Sequence, residues 1–209
     1  ALPPPLPVER NDEVGELFSA FNRMLEQVGE HDRALKESEE RFRLGFENAN
    51  VGMCLVDLQG RLTRVNRQMC VMFGYSRDEM ESMGVNDIAH PDSMLQSPAF
   101  IDQAQTGAVD HATFEKKYLH KDGHTVHGYV SSTLLRDPSG KPLEFISHVV
   151  DITQQKLAQT KLQLAANVFT HAREGIIITD AQGTIVDVNT TFTDITGYTR
   201  EEVVGRNPS

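Results

Sequence analysis

Apolar residues recur along the chain at two spacings, and each spacing predicts a different kind of element. Between residues 17 and 42 they alternate three and four positions apart, which is the heptad stripe of a helix that packs against a partner helix. The stripe consists of Leu17, Phe21, Met24, Val28, His31, Leu35, Ser38 and Phe42. Because His31 and Ser38 interrupt it, packing of this helix onto its own domain stays open beside a parallel dimer.

Two segments of about forty residues, 123 positions apart, are similar to each other without a gap. Such a repeat predicts two copies of one structural unit. GYSRDEM at 74–80 returns as GYTREEV at 197–203. Other identical pairs in this register are Phe46 and Phe169, Gly52 and Gly175, Asp57 and Asp180, and Gly60 and Gly183. We expect the second copy to hold only the front half of the unit.

The shared residues have local structural roles. In each copy two short β-branched runs flank a Gln-Gly turn, at 59–60 and 182–183, which predicts a β-hairpin. The next residues have the types and spacing of a helix N-cap, a C-terminal glycine and a capping box. They are Asn66, Gly74, Ser76 and Glu79 in the first copy and Asn189, Gly197, Thr199 and Glu202 in the second. The repeated heptapeptide therefore predicts one helix end and the next helix start, and no catalytic role.

The first copy continues with one helix and three strands. Ser97 as cap, Pro98 at the first helical position and Gly107 at the end predict the helix. Strands are predicted over 111–120, 124–136 and 143–151, with turns at 121–123 and 137–140. Two strands, several short helices and three strands give an α+β domain, with a five-stranded antiparallel sheet and helices on one face.

Composition narrows the class of protein. The 209 residues suffice for one or two domains, and the net charge of −10 with scattered Lys and Arg argues against a nucleic-acid partner. The two cysteines, Cys54 and Cys70, fit a reducing cytoplasm. No apolar run approaches the ~18 residues of a membrane span. The opening ALPPPLPVER has no initiator Met, so we expect a piece of a longer protein.

Residues 40–153 resemble a PAS sensory domain, and residues 164–209 resemble the front half of a second one. The resemblance rests on GYSRDEM, on Ile88-Ala89-His90-Pro91-Asp92, on the Asp122-Gly123 turn and on Asp151-Ile152-Thr153. Residues 1–28 resemble the C-terminal part of a HAMP signal-relay module through Asp12-Glu13-Val14-Gly15, Leu17, Ala20-Phe21-Asn22 and Met24-Leu25. Helical linkers are expected over 29–45 and 154–168, coiled-coil-like and flanking the first PAS domain.

This resemblance implies the sensory input region of a bacterial-type receptor, without catalytic residues of its own. Such a receptor is a homodimer on the cytoplasmic side of the inner membrane, anchored through an upstream segment. The signal would reach a downstream cyclic-di-GMP enzyme or histidine kinase. Signal-relay residues would be Asp12, Glu13, Gly15, Asp151 and Thr153. The alternative is a PAS dimerisation spacer that binds no ligand and regulates an attached enzyme.

A small-molecule pocket between the helices and the sheet is the candidate site, and a plain packed core is the alternative. The expected apolar lining is Met53, Leu55, Phe73, Ile88, Phe100, Phe114, Tyr118 and Val130, with polar contacts from His127, Tyr129 or Ser131.

The resemblance leaves the cofactor unknown but argues against haem and covalent flavin. Haem-binding members carry an axial His in the helix matching residues 97–106, where this chain has none, although His90 and His111 flank that helix. Flavin-bonding members use a Cys in the helix after GYSRDEM, where this chain again has none. No metal site is expected either, because His124 and His127, the neighbours of His120, point to opposite faces of one predicted strand.

Overall fold

The computed structural model describes residue 3 and residues 13–208, with side chains from residue 16 onward. The chain divides into two compact units, residues 1–151 and 152–209. Of the expected relay residues, Asp12 lies outside the described residues. Glu13 and Gly15 are described only as helical backbone.

The first unit begins with one long helix and continues as two strands, short helices and three strands. The helices are α1 (Glu13–Glu47), α2 (Arg67–Phe73), α3 (Arg77–Glu81) and α4 (Gln96–Gln105), and a 3₁₀ turn spans Pro91–Ser93. The strands are β1 (Gly52–Val56), β2 (Leu62–Val65), β3 (His111–Leu119), β4 (Thr125–Arg136) and β5 (Pro142–Asp151).

The five strands form one antiparallel sheet in the order β2-β1-β5-β4-β3. Its register sets Cys54 opposite Ser147, and Ser147 opposite Ser132. One face packs against α2, α3 and α4 and forms the core, with Phe73, Met80, Phe100 and Phe145 among its buried side chains. The predicted α+β class, the five-stranded sheet and the covering helices are confirmed.

Asn66 organises the start of the core. Its Oδ1 accepts hydrogen bonds from the backbone N–H of Met53 and of Met69, at 2.9 and 3.0 Å, so it caps α2 as predicted. Its Nδ2 donates to the carbonyls of Phe46 and Val51, both at 3.0 Å. One buried amide therefore joins the end of α1, strand β1 and helix α2.

Helix α4 differs from its sequence-based prediction. It begins at Gln96, after Leu95, which makes no capping hydrogen bond through its side chain. Ser97, the predicted cap, lies inside the helix and accepts a hydrogen bond from Lys116 Nζ at 2.8 Å. The hydroxyl thus links α4 to β3, so the prediction of Ser97 as cap is wrong.

The second unit consists of a long helix and a small α+β layer. Its elements are α5 (Thr153–His171), β6 (Ile177–Thr179), β7 (Ile185–Val188), α6 (Thr190–Thr196) and α7 (Arg200–Val203). The predicted caps are confirmed: Asn189 caps α6, Gly197 ends it with φ 78°, and Thr199 and Glu202 form a capping box.

The described core of this unit is small. Ile185, Val188 and Val203 are buried, and Phe192 packs against them. Ile177, which corresponds to Cys54 in the repeat, is 39% exposed, whereas Cys54 is 4% exposed. The strands that cover Cys54 in the first unit have no counterpart among the described residues of the second.

Candidate functional site

The candidate site is a cavity of about 40 Å³ between the inner face of the first unit's sheet and its helices. Its wall is mostly apolar, with polar atoms from Cys54, Ser97, Tyr118, Ser132 and Ser147. The two serines of the sheet share a hydrogen bond of 2.8 Å between their hydroxyl oxygens. A few polar groups in an apolar wall are typical of small-molecule sites.

Some of the residues expected from the sequence come together here. Five of them line the cavity: Ile88, Phe100, Phe114, Tyr118 and Val130. Phe73 is fully buried beside the cavity without lining it, and its ring centroid lies 4.9 Å from that of Tyr118.

The other five expected residues lie elsewhere. Met53, Leu55, His127, Tyr129 and Ser131 alternate with inward-facing strand residues, so their side chains are on the outer face of the sheet. The inward positions beside them are Cys54 and Val56 on β1 and Val126, Val130 and Ser132 on β4. The structure therefore does not place these five in the cavity wall.

Lys116 is the main feature that sequence reasoning missed. It is 2% exposed and lies on β3 between the lining residues Phe114 and Tyr118, two positions from each. Its Nζ donates to the carbonyl of Val85 at 3.0 Å and to Ser97 Oγ. The period-two spacing with Phe114 and Tyr118 was the available signal, since it sets all three on one face.

Burial changes the ionisation of three groups around the cavity. It lowers the pKa of Lys116 to about 8 and raises the pKa of the Cys54 thiol to about 12. It also raises the pKa of Tyr118. In each case the apolar surroundings disfavour the charged form. Cys54 and Tyr118 are therefore neutral at physiological pH.

The last turn of α1 is fastened to the first unit by several contacts. Phe46 is buried, and Arg64 of β2 lies 5.1 Å from its ring centroid. Glu47 accepts two hydrogen bonds from the Arg77 guanidinium, at 2.7 and 2.8 Å. This guanidinium, more than any other group, holds the pKa of Glu47 below its usual range.

Along the rest of α1, the heptad stripe faces solvent in the single chain. Val28 is 43% exposed, Leu35 is 59% exposed and Phe42 is 47% exposed. At the other end of the unit, Asp151 is the last residue of β5 and Thr153 is the first residue of α5. No described helix is both long and apolar enough to span a bilayer.

The turn between β3 and β4 gathers His120, Asp122 and His124. The Nδ1 atoms of the two histidines lie 2.9 and 2.5 Å from the same carboxylate oxygen of Asp122. The backbone N–H of His124, and next its imidazole, lower the pKa of Asp122 to about 2. These contacts make the three side chains one hydrogen-bonded cluster within the turn.

The residues weighed for haem or flavin lie outside the cavity wall, except Cys54. His90 Nδ1 accepts from the backbone N–H of Asp92 at 3.2 Å, within the 3₁₀ turn. His111 Nδ1 lies 3.0 Å from Thr133 Oγ1. Cys70 is half-buried on α2.

Comparison with known proteins gives family matches over most of the chain. The PAS fold matches residues 40–152 and 164–209, and the HAMP domain matches residues 1–30. The probable diguanylate cyclase DgcE of Escherichia coli (strain K12) is 27% identical over 140 residues, which is 67% of this chain and 13% of that protein. The sensor histidine kinase TmoS of Ectopseudomonas mendocina is 23% identical over 158 residues, 74% of this chain and 16% of that protein.

Solved structures agree on the fold. The LOV protein of Rhodobacter sphaeroides is similar with a TM-score of 0.50 and 14% identity, covering 63% of this chain and 76% of that one. PAS and HAMP domains are sensory and non-catalytic, and the enzyme names of the relatives refer to much longer proteins. The resemblance inferred from the sequence is confirmed, and the chain belongs to the PAS family of signal-transduction proteins.

Proposed function

We propose that this chain is the input and relay region of a membrane-anchored receptor, on the cytoplasmic side of the inner membrane. It pairs with a second copy through α1, holds a small-molecule site in the first PAS unit and passes its signal along α5. The observation that carries this proposal is the 35-residue helix α1, apolar along an exposed stripe and hydrogen-bonded at its last turn into the PAS core.

The kind of output is inferred from the relatives. The chain spans less than a fifth of the length of either curated relative, one named a diguanylate cyclase and the other a sensor histidine kinase. We propose an output of one of these two kinds, joined after α5. The HAMP match over residues 1–30 supports the proposed membrane anchor.

The apolar stripe of α1 favours dimerisation, because exposing its side chains to water is unfavourable. Leu17, Met24, Val28, Leu35 and Phe42 are exposed large apolar side chains at heptad spacing. A second α1 in parallel register would bury all of them. Each side chain that becomes fully covered would stabilise the dimer by roughly 1.5–3 kcal/mol. His31 and Ser38 interrupt the stripe between Val28, Leu35 and Phe42, so pairing in this segment depends on these three apolar side chains.

A relay needs a stiff connection between the paired helix and the sensing core. Asn66 provides a hydrogen bond to Phe46, and Arg77 provides a bidentate ion pair to Glu47. Both partners lie in the last turn of α1. A change of register in the pair would therefore act on β1, α2 and α3. We propose that the signal leaves the unit through Asp151, at the end of β5, and Thr153, at the start of α5.

The second candidate function is a dimerisation spacer that binds no ligand. The modest cavity volume, about 40 Å³, favours it. In that case α1 pairs in the same way, but the core serves only to connect α1 and α5. The two functions share the dimer and differ in ligand binding.

Sedimentation velocity of the 209-residue chain tests the dimer. We expect a species of twice the 23.3 kDa chain mass, converted to the single-chain mass by V28E/L35E. The matched control is Lys36→Glu, which changes the charge more than either seam substitution but lies beside the stripe. Single-chain mass for the unchanged protein at all concentrations would refute the proposed function.

A further inference from the structure

The ammonium group of Lys116 lies next to the cavity, directly behind residues of its wall. Its two acceptors belong to the lining residues Val85 and Ser97, and its Nζ is 5.2 Å from the ring centroid of Tyr118, which also lines the cavity. The side chain is almost fully buried. A positive charge is thus held within contact distance of the residues that line a small cavity.

This charge has no balancing carboxylate among the described residues. Both hydrogen-bond acceptors are neutral oxygens, one from a backbone carbonyl and one from a hydroxyl. Cys54 interacts electrostatically with Lys116, and the Tyr118 ring lies beside it. The Cys54 thiol and the Tyr118 hydroxyl both remain protonated because burial raises the pKa of each. A buried ammonium with only neutral partners is costly, and an anion in the cavity would remove that cost.

The rest of the wall sets the size and polarity of such an anion. Besides the polar atoms of Cys54, Ser97, Tyr118, Ser132 and Ser147, the wall is apolar, and the ring centroids of Phe100 and Phe145 lie 5.5 Å apart in an edge-to-face contact. At ~10–15 Å³ per water-sized site, about 40 Å³ accommodates only a few heavy atoms. The space therefore suits one carboxylate with a short hydrocarbon body.

We propose that the cavity binds a small organic monoanion, whose carboxylate accepts a hydrogen bond from Lys116 Nζ and whose hydrocarbon body packs against Phe100 and Phe145. This inference rests on the proposed function and names the ligand class of its site. In the alternative account, the hydrogen bond from Lys116 to Ser97 only connects β3 to α4, and the cavity holds water alone.

Thermal unfolding of the 209-residue chain in sodium propionate separates the two accounts. Propanamide has nearly the same shape without the charge, and sodium chloride at equal ionic strength controls for salt. We expect a saturable rise in Tm with propionate and none with the two controls. Equal shifts with propanamide or with chloride would overturn the proposal.

Two neighbouring lysines provide the matched variants. Lys116→Met keeps the buried volume and removes the charge, so we expect its apparent affinity for propionate to fall about tenfold or more. Lys117→Met removes an exposed lysine, which is ion-paired with Asp92 at 2.8 Å, and we expect it to respond as the unchanged chain does. An undiminished response in Lys116→Met would overturn the proposal. If that variant does not fold, the comparison of propionate with propanamide on the unchanged chain decides.

The sedimentation experiment keeps this outcome distinct from that of the proposed function. A dimer without a propionate response rejects the anion site and leaves the spacer form of the receptor region. A single chain that responds to propionate rejects the dimeric relay and keeps the anion site.

Discussion

Asn66 donates a hydrogen bond of 3.0 Å from its side-chain amide to the carbonyl of Phe46. Phe46 lies in the last turn of α1, and Asn66 caps α2. In the second unit Asn189 repeats the cap and donates to the carbonyl of Glu174, the counterpart of Val51. The bond from Asn66 to Phe46 therefore connects the PAS core of the first unit to its long helix.

Replacing Asn66 with Ala should destabilise the first unit strongly. The amide is fully buried and makes four hydrogen bonds, each worth about 1 kcal/mol, so we expect a loss of about 3–4 kcal/mol. The measurement is urea unfolding followed by circular dichroism. Asn48→Ala is the control, because Asn48 is exposed and its side-chain amide donates one hydrogen bond of 2.8 Å to the carbonyl of Leu44 in α1. Similar urea midpoints for the two variants would show that the four hydrogen bonds of Asn66 do not stabilise the first unit as proposed.

Gly74 should tolerate alanine poorly for two separable reasons. Its φ of 76° strains any residue with a Cβ, by about 1–2 kcal/mol, and a Cβ there would also collide with the His120 imidazole. Gly107 has φ 80° with open space around a Cβ, so Gly107→Ala measures the strain alone. We expect Gly74→Ala to lower Tm more than Gly107→Ala does, and His120→Ala to reduce that difference. No difference between the two glycine variants would exclude the packing contribution.

Lys116 should give the first unit a characteristic dependence of stability on pH. Its folded pKa of about 8 lies below the ~10.4 of an unfolded lysine, so between these values the folded state has released a proton that the unfolded state retains. The free energy of unfolding should therefore rise with pH across this window, by up to about 3 kcal/mol relative to Lys116→Met. Cys54 and Tyr118 face the same group and are common to both proteins, so the difference isolates the lysine. If the difference in unfolding free energy between the unchanged chain and Lys116→Met stayed constant from pH 7 to 10, the lowered pKa of Lys116 would be contradicted.

The second unit should be the first to yield to protease. Its described core has three buried apolar residues, too few to exclude water from β6, where Ile177 is exposed. Trypsin should cut at Arg173 and Arg200 before it cuts within residues 52–151, as mass spectrometry of timed samples would record. A resistant fragment beginning near residue 165 would contradict this expectation. The first unit on the same chain is the internal control.

Most of the fold could be predicted from patterns of residues that are close in sequence. The repeat, the Asn66 and Asn189 caps, the Gly74 terminus and the capping boxes depend on residues within a few positions of one another, so sequence spacing is enough to find them. The three later strands were predicted within two residues at each end, because Asp-Gly and Asp-Pro turns separate them.

The cavity wall depends on tertiary contacts that spacing does not specify. On β1 both strand faces are apolar, so nothing in the sequence favoured Cys54 and Val56 over Met53 and Leu55 for the inner face. Ser97 fits a cap by residue type, but its hydroxyl bonds Lys116, which is 19 residues away. Lys116 fits an exposed strand position by residue type, and only the approach of α4 and Val85 buries it.

Oxidative cross-linking through Leu35→Cys, in a Cys70→Ser background, tests the paired helix most directly. Identical residues meet across a parallel, in-register seam, where their Cβ atoms come within disulfide reach. Lys36→Cys is the matched control, one residue away and off the stripe. The account predicts rapid formation of a covalent dimer for Leu35→Cys and little for Lys36→Cys. Equal yields for both variants, or no dimer with Leu35→Cys, would contradict the parallel α1 pair on which the relay depends.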